Sequence, residues 1–181
     1  KNHDFKKLME LIKTNIDNCY KIVSSPNYDK RGFFLRAFCK KEINLKFDIK
    51  QINISNNKKK GTLRGFHYQK LPSKEHKIIS CIEGEIFNVV IDLRKNSKTY
   101  KKIHKVKLKS GDFNFLYVPA GCANCFLTIK KNTKILYFMN EFYKPNKNYG
   151  FYYKSKSLKI NWPIKIKEIS KNDFNLQELK I

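Results

Sequence analysis

The segment G-T-L-R-G-F-H-Y-Q, residues 61–69, places a guanidinium and an imidazole three positions apart. Imidazole titrates close to physiological pH, so His67 has the chemistry of a general base. Residues three apart face opposite sides of a regular strand, although a bulge at Gly65 could turn Arg64 or His67 toward the other. The segment alone leaves two interpretations of His67 open, a base or a structural histidine.

The cysteine and histidine spacing offers little support for a metal site. The five cysteines are an odd number, and only Cys122 and Cys125 form a C-x-x-C pair, which suits a redox pair or half a zinc site. No second C-x-x-C or H-x3-H completes four ligands. A paired H-x-H on one strand is also missing, because His67 is followed by Tyr68 and Gln69 and because His76 and His104 stand alone. We therefore expect no metal and no cofactor.

The formal charge of +24 raises the alternative of a nucleic-acid or anionic-membrane partner. Lysine is spread over nearly every segment, however, and no basic helix or stripe stands out. We expect neither partner, and we expect the charge to steer an anionic substrate inward. No apolar run approaches the roughly 20 residues of a membrane span, and residues 1–11 lack the pattern of a secretory signal, so the expected location is the cytoplasm.

The elements that must position these residues are mainly strands. Phe5, Leu8, Leu11, Ile12 and Ile16 recur at helical spacing and predict a short N-terminal helix within an extension of residues 1–18. Residues 19–181 are predicted to form a single all-β domain, a sandwich or barrel. The predicted strands cover residues 21–24, 33–38, 47–55, 61–68, 77–82, 85–93, 104–108, 113–118, 123–128 and 133–142. Glu83-Gly84-Glu85 is typical of a tight hairpin, and the stretch from Leu158 is expected to pack back as a peripheral tail.

Several motifs together resemble one family. GTLRGFHYQ is followed in order by HKIISCIEGEIFNVVIDLRKNS, YVPAGCANCF, ILYFMNEFY, INWP and ISKND. From about Tyr20 to about Leu179 the chain is similar to the dTDP-4-dehydrorhamnose 3,5-epimerases. The resemblance implies a cupin jelly roll, usually a homodimer. It also implies action without cofactor on a nucleoside-diphosphate 4-keto-6-deoxy sugar, in deoxysugar synthesis for cell-surface polysaccharide.

The resemblance also assigns roles to individual residues. Proton removal next to a ketone needs a base, a donor for the enolate oxygen and an acid on the other face. The family positions give these roles to His67, Lys77 and Tyr137, with Asp173 orienting the imidazole. The substrate-binding positions that the resemblance implies are Arg31, Phe34, Gln51, Asn53, Arg64 and Tyr143. The N-terminal strand that relatives lend to a neighbouring subunit implies that a dimer completes the site.

Three departures from the family pattern concern specificity. Arg36 replaces a common glutamate and inverts the charge expected near the nucleoside, and Asn124 replaces the histidine of P-x-G-x-A-H-G-F with an amide that can still bind substrate. The usual W-D-D-P is Tyr153-Lys154-Ser155-Lys156. The sequence leaves open which nucleotide is bound and whether C3, C5 or both are inverted. A ketoisomerase or dehydratase, and a non-catalytic sugar-nucleotide-binding cupin, are the alternatives.

Overall fold

The computed structural model describes residues 8–70 and 72–180 of the chain. Its elements in chain order are β1 (Met9–Lys13), β2 (Tyr20–Ser24), β3 (Asn27–Asp29), β4 (Gly32–Phe34), α1 (Lys40–Ile43), β5 (Gln51–Asn57), β6 (Thr62–Gln69), β7 (Lys77–Glu83), β8 (Glu85–Asp92), β9 (Ile103–Lys109), β10 (Asn114–Val118), β11 (Cys122–Thr128), β12 (Thr133–Met139), a 3-10 helix (Pro145–Lys147), β13 (Asn148–Gly150), β14 (Glu168–Ile169) and α2 (Lys171–Phe174). The predicted all-β class is confirmed. No helix in these two described stretches is long and apolar enough to cross a bilayer.

Most strands belong to two sheets. The first has the order β1-β2-β10-β7-β12-β5, the second has the order β13-β6-β11-β8-β9 with β14 beside β6, and β3 and β4 form a separate hairpin. Pairing within the sheets is antiparallel except between β14 and β6, which are parallel. The pairings in the described part of the chain leave the sheets as a jelly-roll sandwich and do not close them into a barrel.

The core has three apolar layers that follow from the alternation of side chains along each strand. The middle layer lies between the sheets and includes Ile79, Val90 and Phe126. The outer face of the first sheet is covered by residues 35–49. The outer face of the second sheet is covered by the C-terminal segment, with Trp162 packed on Phe87 and Tyr153. The predicted packing of the tail onto the domain is therefore confirmed.

The N-terminal helix prediction is wrong where the structure describes the chain. Met9–Lys13 is strand β1, paired with β2 from Met9 opposite Ser24 to Lys13 opposite Tyr20. Apolar residues in so short a segment can fit a strand as well as a helix. Met9 joins the outer layer of the first sheet, and Ile16, which lies beyond the strand, joins the middle layer. Pairing with β2 decides between the two. Phe5 lies outside the described residues.

The prediction of a tight hairpin at Gly84 is also wrong. Strand β7 ends at Glu83 in the first sheet and β8 begins at Glu85 in the second, so the chain crosses between sheets at this glycine. Gly84 has φ +81°, and a Cβ there would lie 2.4 Å from Thr133 Oγ1. Glycine is thus required by the corner and by the close approach of β12.

Two predicted strands are shorter than expected. The prediction for residues 33–38 survives only in β4 (Gly32–Phe34), and the prediction for residues 47–55 begins at Gln51. The apolar residues between them, including Leu35 and Phe47, cover the outer face of the first sheet. Their burial therefore comes from packing on a sheet and not from pairing within it.

Candidate active site

A cavity of about 510 Å³ opens at one end of the sandwich, between the two sheets. One wall comes from β5, β7 and β12 of the first sheet, and the other comes from β6, β11 and β13 of the second, with α2 at the rim. Its polar lining includes Asn53, Ser55, Arg64, His67, Lys77, Asn124, Tyr137, Asn148, Ser170, Asn172 and Asp173. Seven residues that the sequence analysis singled out, Asn53, Arg64, His67, Lys77, Asn124, Tyr137 and Asp173, therefore line one cavity.

His67 and Asp173 form a direct pair although they are 106 positions apart. The His67 Nε2 atom lies 2.8 Å from Asp173 Oδ1, and the backbone N–H of Gly65 donates to Asp173 Oδ2 at 3.2 Å. Burial raises the pKa of Asp173, but the hydrogen bonds from His67 and Gly65 outweigh it and leave the pKa below its ordinary value. An ionised carboxylate can only accept, so Nε2 carries the proton of this hydrogen bond, and in the neutral ring Nδ1 is the nitrogen with the lone pair.

Asp173 owes its position to the start of α2. The Asp173 N–H donates to the side chain of Ser170, the N-cap residue, at 3.0 Å. This contact fixes the first turn and turns the carboxylate toward β6. Asp173 is 7% exposed, so the cap holds a largely buried charge against His67.

The expected irregularity at Gly65 is present. Asn124 of β11 pairs with His67, and Phe126 of β11 pairs with Arg64. Two steps along β11 therefore match three steps along β6, so β6 carries one extra residue. This bulge puts both Arg64 and His67 on the cavity side. Gly65 has φ +109°, and a Cβ there would lie 2.6 Å from the Asn124 carbonyl oxygen, so no other residue fits without a shift.

The opposite wall carries Lys77 and Tyr137. Met139, two residues from Tyr137, pairs with Lys77, so the three side chains share one face of the first sheet. The Lys77 ammonium lies 2.9 Å from Glu75 Oε1, and both side chains are largely buried. Burial raises the pKa of Tyr137 well above its ordinary value, although the nearby Arg64 charge acts the other way, so the phenol is protonated at neutral pH.

Arg64 is held by a residue that the sequence analysis did not select. Its Nε atom donates to Asn57 Oδ1 at 2.8 Å, and Asn57 Nδ2 donates to the Thr133 carbonyl oxygen at 3.1 Å. Asn57 is 2% exposed at the end of β5. Because Asn57 is neutral, this contact does not neutralise the positive charge of Arg64, which can still attract an anionic ligand in the cavity.

The C-x-x-C cysteines point to opposite sides of β11. Cys122 belongs to the layer between the sheets, whereas Cys125 belongs to the layer under the C-terminal segment. Burial raises the pKa of both thiols far above the ordinary value. The two sulfurs therefore cannot share a metal ion or a disulfide in this fold.

Comparison with known proteins places this cavity in a family context. Residues 13–180 match the family model described as dTDP-4-dehydrorhamnose 3,5-epimerase. The chain belongs to this family. It is accordingly an isomerase, a sugar-nucleotide epimerase of deoxysugar biosynthesis.

Individual relatives align with this chain over nearly their whole length. The dTDP-4-dehydrorhamnose 3,5-epimerase of Shigella flexneri is 33% identical over 174 residues, which cover 94% of this chain and 96% of that protein. The structure of the Bacillus anthracis enzyme, with TDP and PPi bound, superposes with a TM-score of 0.91 at 32% identity, covering 94% of this chain and 99% of the other. The Legionella pneumophila enzyme, in complex with dTDP-4-keto-L-rhamnose, gives 0.86 at 28% identity, with 94% and 92% covered.

Five residues to which the sequence analysis gave a binding role lie outside the cavity lining of this epimerase chain: Arg31, Phe34, Arg36, Gln51 and Tyr143. Arg31 and Phe34 are exposed on the β3–β4 hairpin, where Arg31 pairs with Asp29 at 2.6 Å. Gln51 accepts from the Tyr143 N–H at 3.1 Å beside the mouth.

Arg36 has a structural partner inside the chain. Its guanidinium pairs with Glu42, whose other carboxylate oxygen accepts from the N–H groups of Leu8 and Met9 at 2.7 and 2.8 Å. The positive charge of Arg36, which departs from the family pattern, is therefore balanced by the buried carboxylate of Glu42 in α1.

Proposed function

We propose that this epimerase inverts C3, C5 or both of a dTDP-linked 4-keto-6-deoxy sugar, using the residues of this cavity. The observation that carries the proposal is the His67–Asp173 pair facing Lys77 and Tyr137 across one cavity. Thymidine is favoured by the nucleotides in the related structures. Arg36, which inverts the charge expected near the nucleoside, is balanced by Glu42.

The reaction begins at His67. Nδ1 takes the proton from the carbon next to the ketone, the C–H electron pair moves onto the ketone oxygen, and the imidazolium that forms is stabilised by Asp173. The Lys77 ammonium stabilises the enolate oxygen, and a fixed cation in a mostly buried site is stronger than one in water. Glu75 keeps that ammonium in place.

Tyr137 completes the inversion from the opposite wall. Its raised pKa keeps the O–H intact at neutral pH, and the enolate carbon receives this proton on the face away from His67. The phenolate and the imidazolium then exchange one proton through water, which restores both groups. Arg64 binds the diphosphate with its guanidinium, and Asn53 lies beside Tyr137 in register on β5.

Isotope exchange tests this function directly. The protein is incubated in deuterated water with the dTDP-, GDP- and CDP-linked 4-keto-6-deoxy sugars, and C3 and C5 are followed by NMR. We expect exchange and inversion with the dTDP sugar. Exchange at one carbon would identify a monoepimerase, loss of water or a moved ketone would identify the dehydratase or ketoisomerase, and no exchange with any sugar would contradict the proposal.

We also propose that two copies assemble as a homodimer that completes the nucleotide end of the site. Ile52 and Ile54 are 54% and 64% exposed on β5, the edge strand of the first sheet, and Phe34 is 70% exposed on the β3–β4 hairpin. Such residues on an open edge suit burial against another chain. Arg31, Phe34, Gln51 and Tyr143 would then approach the nucleotide.

The dimer is tested by light scattering with Ile54→Lys, using Lys58→Ala on the exposed loop after β5 as a control. We expect a dimer for the parent and the control and a monomer with weakened dTDP binding for Ile54→Lys. A parent that is monomeric at micromolar concentration would refute the dimer.

A further inference from the structure

A buried glutamine is connected to the Lys77 ammonium from outside the cavity. Gln69, the last residue of β6, is 4% exposed and does not belong to the cavity lining. Its Nε2 atom donates to Glu75 Oε2 at 2.7 Å, and the other oxygen of Glu75 pairs with Lys77 at 2.9 Å. The three side chains therefore form one chain of contacts, which ends at the group proposed to stabilise the enolate.

The chemistry of the partners fixes the direction of these contacts. Glu75 is a carboxylate paired with an ammonium, so its oxygens only accept, and the nitrogen of the Gln69 amide must face it. Turning the amide over would place two acceptor oxygens against each other. The Gln69 oxygen accepts from the Ser73 hydroxyl, and a hydroxyl can donate or accept. The carboxylate therefore decides the orientation of the amide.

This chain of contacts connects the two walls of the cavity. Gln69 lies two residues after His67 on β6, in the second sheet, and Lys77 begins β7, in the first sheet. Residues two apart on a strand share a face, so the amide and the imidazole project from the same side of β6. The contacts through Glu75 therefore reach from the strand of the proposed base to the strand of the proposed enolate donor.

The segment that carries Glu75 is also held at its backbone. The side chain of Asn140, which follows β12, accepts from the His76 N–H at 2.6 Å. It also donates to the Lys74 carbonyl oxygen at 3.0 Å. These two contacts hold the residues on either side of Glu75. The carboxylate is thus fixed through its backbone by the first sheet and through its side chain by the second.

Stability alone does not account for this buried pair. An ion pair in the interior loses hydration, and replacing it with apolar side chains of similar volume is often neutral or stabilising. Pairing with Glu75 uses one of the three N–H donors of Lys77, so others remain for a substrate oxygen in the cavity that Lys77 lines. A cation held in this way is suited to stabilise negative charge that develops on that oxygen.

We infer that Gln69 is a positioning residue, which holds Glu75 and thereby fixes the Lys77 ammonium relative to His67. The inference rests on the proposed function, and it adds the contact that sets the geometry between the base and the enolate donor. Because Gln69 does not line the cavity, its loss should affect the chemical step far more than it affects nucleotide binding.

The first test replaces Gln69 with leucine, which has a similar volume and no donor. In Gln69→Leu we expect kcat for the dTDP-linked keto sugar to fall about 10–100-fold, as a misplaced reacting group would cause. Affinity for dTDP alone, measured by calorimetry, should stay within about twofold, because Arg64 and not Lys77 is proposed to bind the diphosphate. Gln177→Leu, the same change at an exposed position outside the lining, is the matched control and should leave both quantities unchanged.

The second test gives a readout that a purely structural role would not produce. Gln69→Glu places a second carboxyl against Glu75, and the two can share a hydrogen bond only when one holds a proton. Turnover relative to the parent should therefore rise as the pH falls.

The double variant Gln69→Glu/Glu75→Gln exchanges the amide and the carboxylate. The amide at position 75 can then donate to the carboxylate at position 69 while its oxygen accepts from Lys77, so the chain of contacts is kept. We expect this variant to recover at least about 10-fold in turnover over Gln69→Glu at neutral pH and to lose the pH-dependent ratio.

The outcomes separate the two claims. A parent enzyme without exchange would contradict the proposed function, and this inference with it. An active parent whose Gln69→Leu variant keeps full turnover, or loses dTDP affinity as much as turnover, would overturn the role of Gln69 alone. A double variant no better than Gln69→Glu, or a flat pH ratio for Gln69→Glu, would overturn it as well. Circular dichroism verifies folding, and the exchanged pair decides the question if Gln69→Leu does not fold.

Discussion

Three polar side chains of the cavity are each held by a second side chain behind them. His67 is held by Asp173 at 2.8 Å, Lys77 by Glu75 at 2.9 Å and Arg64 by Asn57 at 2.8 Å. Family motifs pointed to the first member of each pair and to Asp173. Asn57 and Glu75 could not be selected from the sequence, because an asparagine or a glutamate carries no mark of its partner until strands from distant segments are paired.

Asp173→Asn tests the orientation of the imidazole. The amide can donate to Nε2, which would move the ring proton to Nδ1 and remove the lone pair from the cavity. We expect kcat to fall by about 10²–10⁴. Asn172→Ala, a change beside it on the rim, should have a much smaller effect. Equal losses in the two variants would contradict the assignment.

The same substitution has a consequence for stability. The folded-state pKa of Asp173 lies below its ordinary value of 3.8, so its contacts contribute fully above that pH, and the contribution is lost as the pH falls through the lowered value. The free energy of unfolding, measured by denaturant titration between neutral and acid pH, should therefore decline less steeply for Asp173→Asn. Parallel curves would show that Asp173 contributes nothing to the acid loss.

Asn57→Leu tests the positioning of Arg64. Without the amide oxygen the guanidinium loses its fixed direction, so we expect KM to rise about 10-fold with a smaller change in kcat. The exposed neighbour Asn56→Ala is the matched control. A fall in kcat at constant KM would instead place Arg64 in the chemical step.

At the scale of elements, the strand pattern was largely predictable and its connections were not. Strands β6 to β12 lie close to their predicted positions because short apolar runs between turn residues mark buried strands, and β8 and β11 are buried on both faces. The helix expected near Leu11 was wrong because short apolar runs fit either element, and pairing with β2 decides. Gly84 signalled a turn, but whether the chain turned back or crossed to the other sheet depends on the whole topology.

The bulge of β6 gives the sharpest prediction at this scale. Gly65→Ala adds a Cβ at φ +109° that meets the Asn124 carbonyl oxygen at 2.6 Å, so we expect a loss of about 1–3 kcal/mol in stability and a large loss of turnover. Gly111→Ala has a similar positive φ of +86° but nothing within 4 Å, so it should cost stability without affecting turnover. Normal turnover in Gly65→Ala would show that the bulge does not position His67.

At the scale of the whole molecule, the chain carries a formal charge of +24, and we propose that its cavity takes a diphosphate ester. Long-range attraction raises the rate of encounter and is screened by salt, with a Debye length of about 10 Å at 0.1 M. We therefore expect kcat/KM for the dTDP sugar to fall several-fold between about 0.01 M and about 0.2 M salt while kcat changes little. A salt-independent kcat/KM would show that the lysines do not assist capture.

The measurement closest to the central claim compares exchange with inversion in Tyr137→Phe and His67→Ala. If His67 removes the proton and Tyr137 returns it from the opposite wall, Tyr137→Phe should still exchange substrate hydrogen for solvent deuterium through His67, while inversion falls at least about 100-fold. His67→Ala should lose both. Exchange that persists in His67→Ala, or exchange and inversion that fall together in Tyr137→Phe, would contradict a base and an acid acting from the two walls of this cavity.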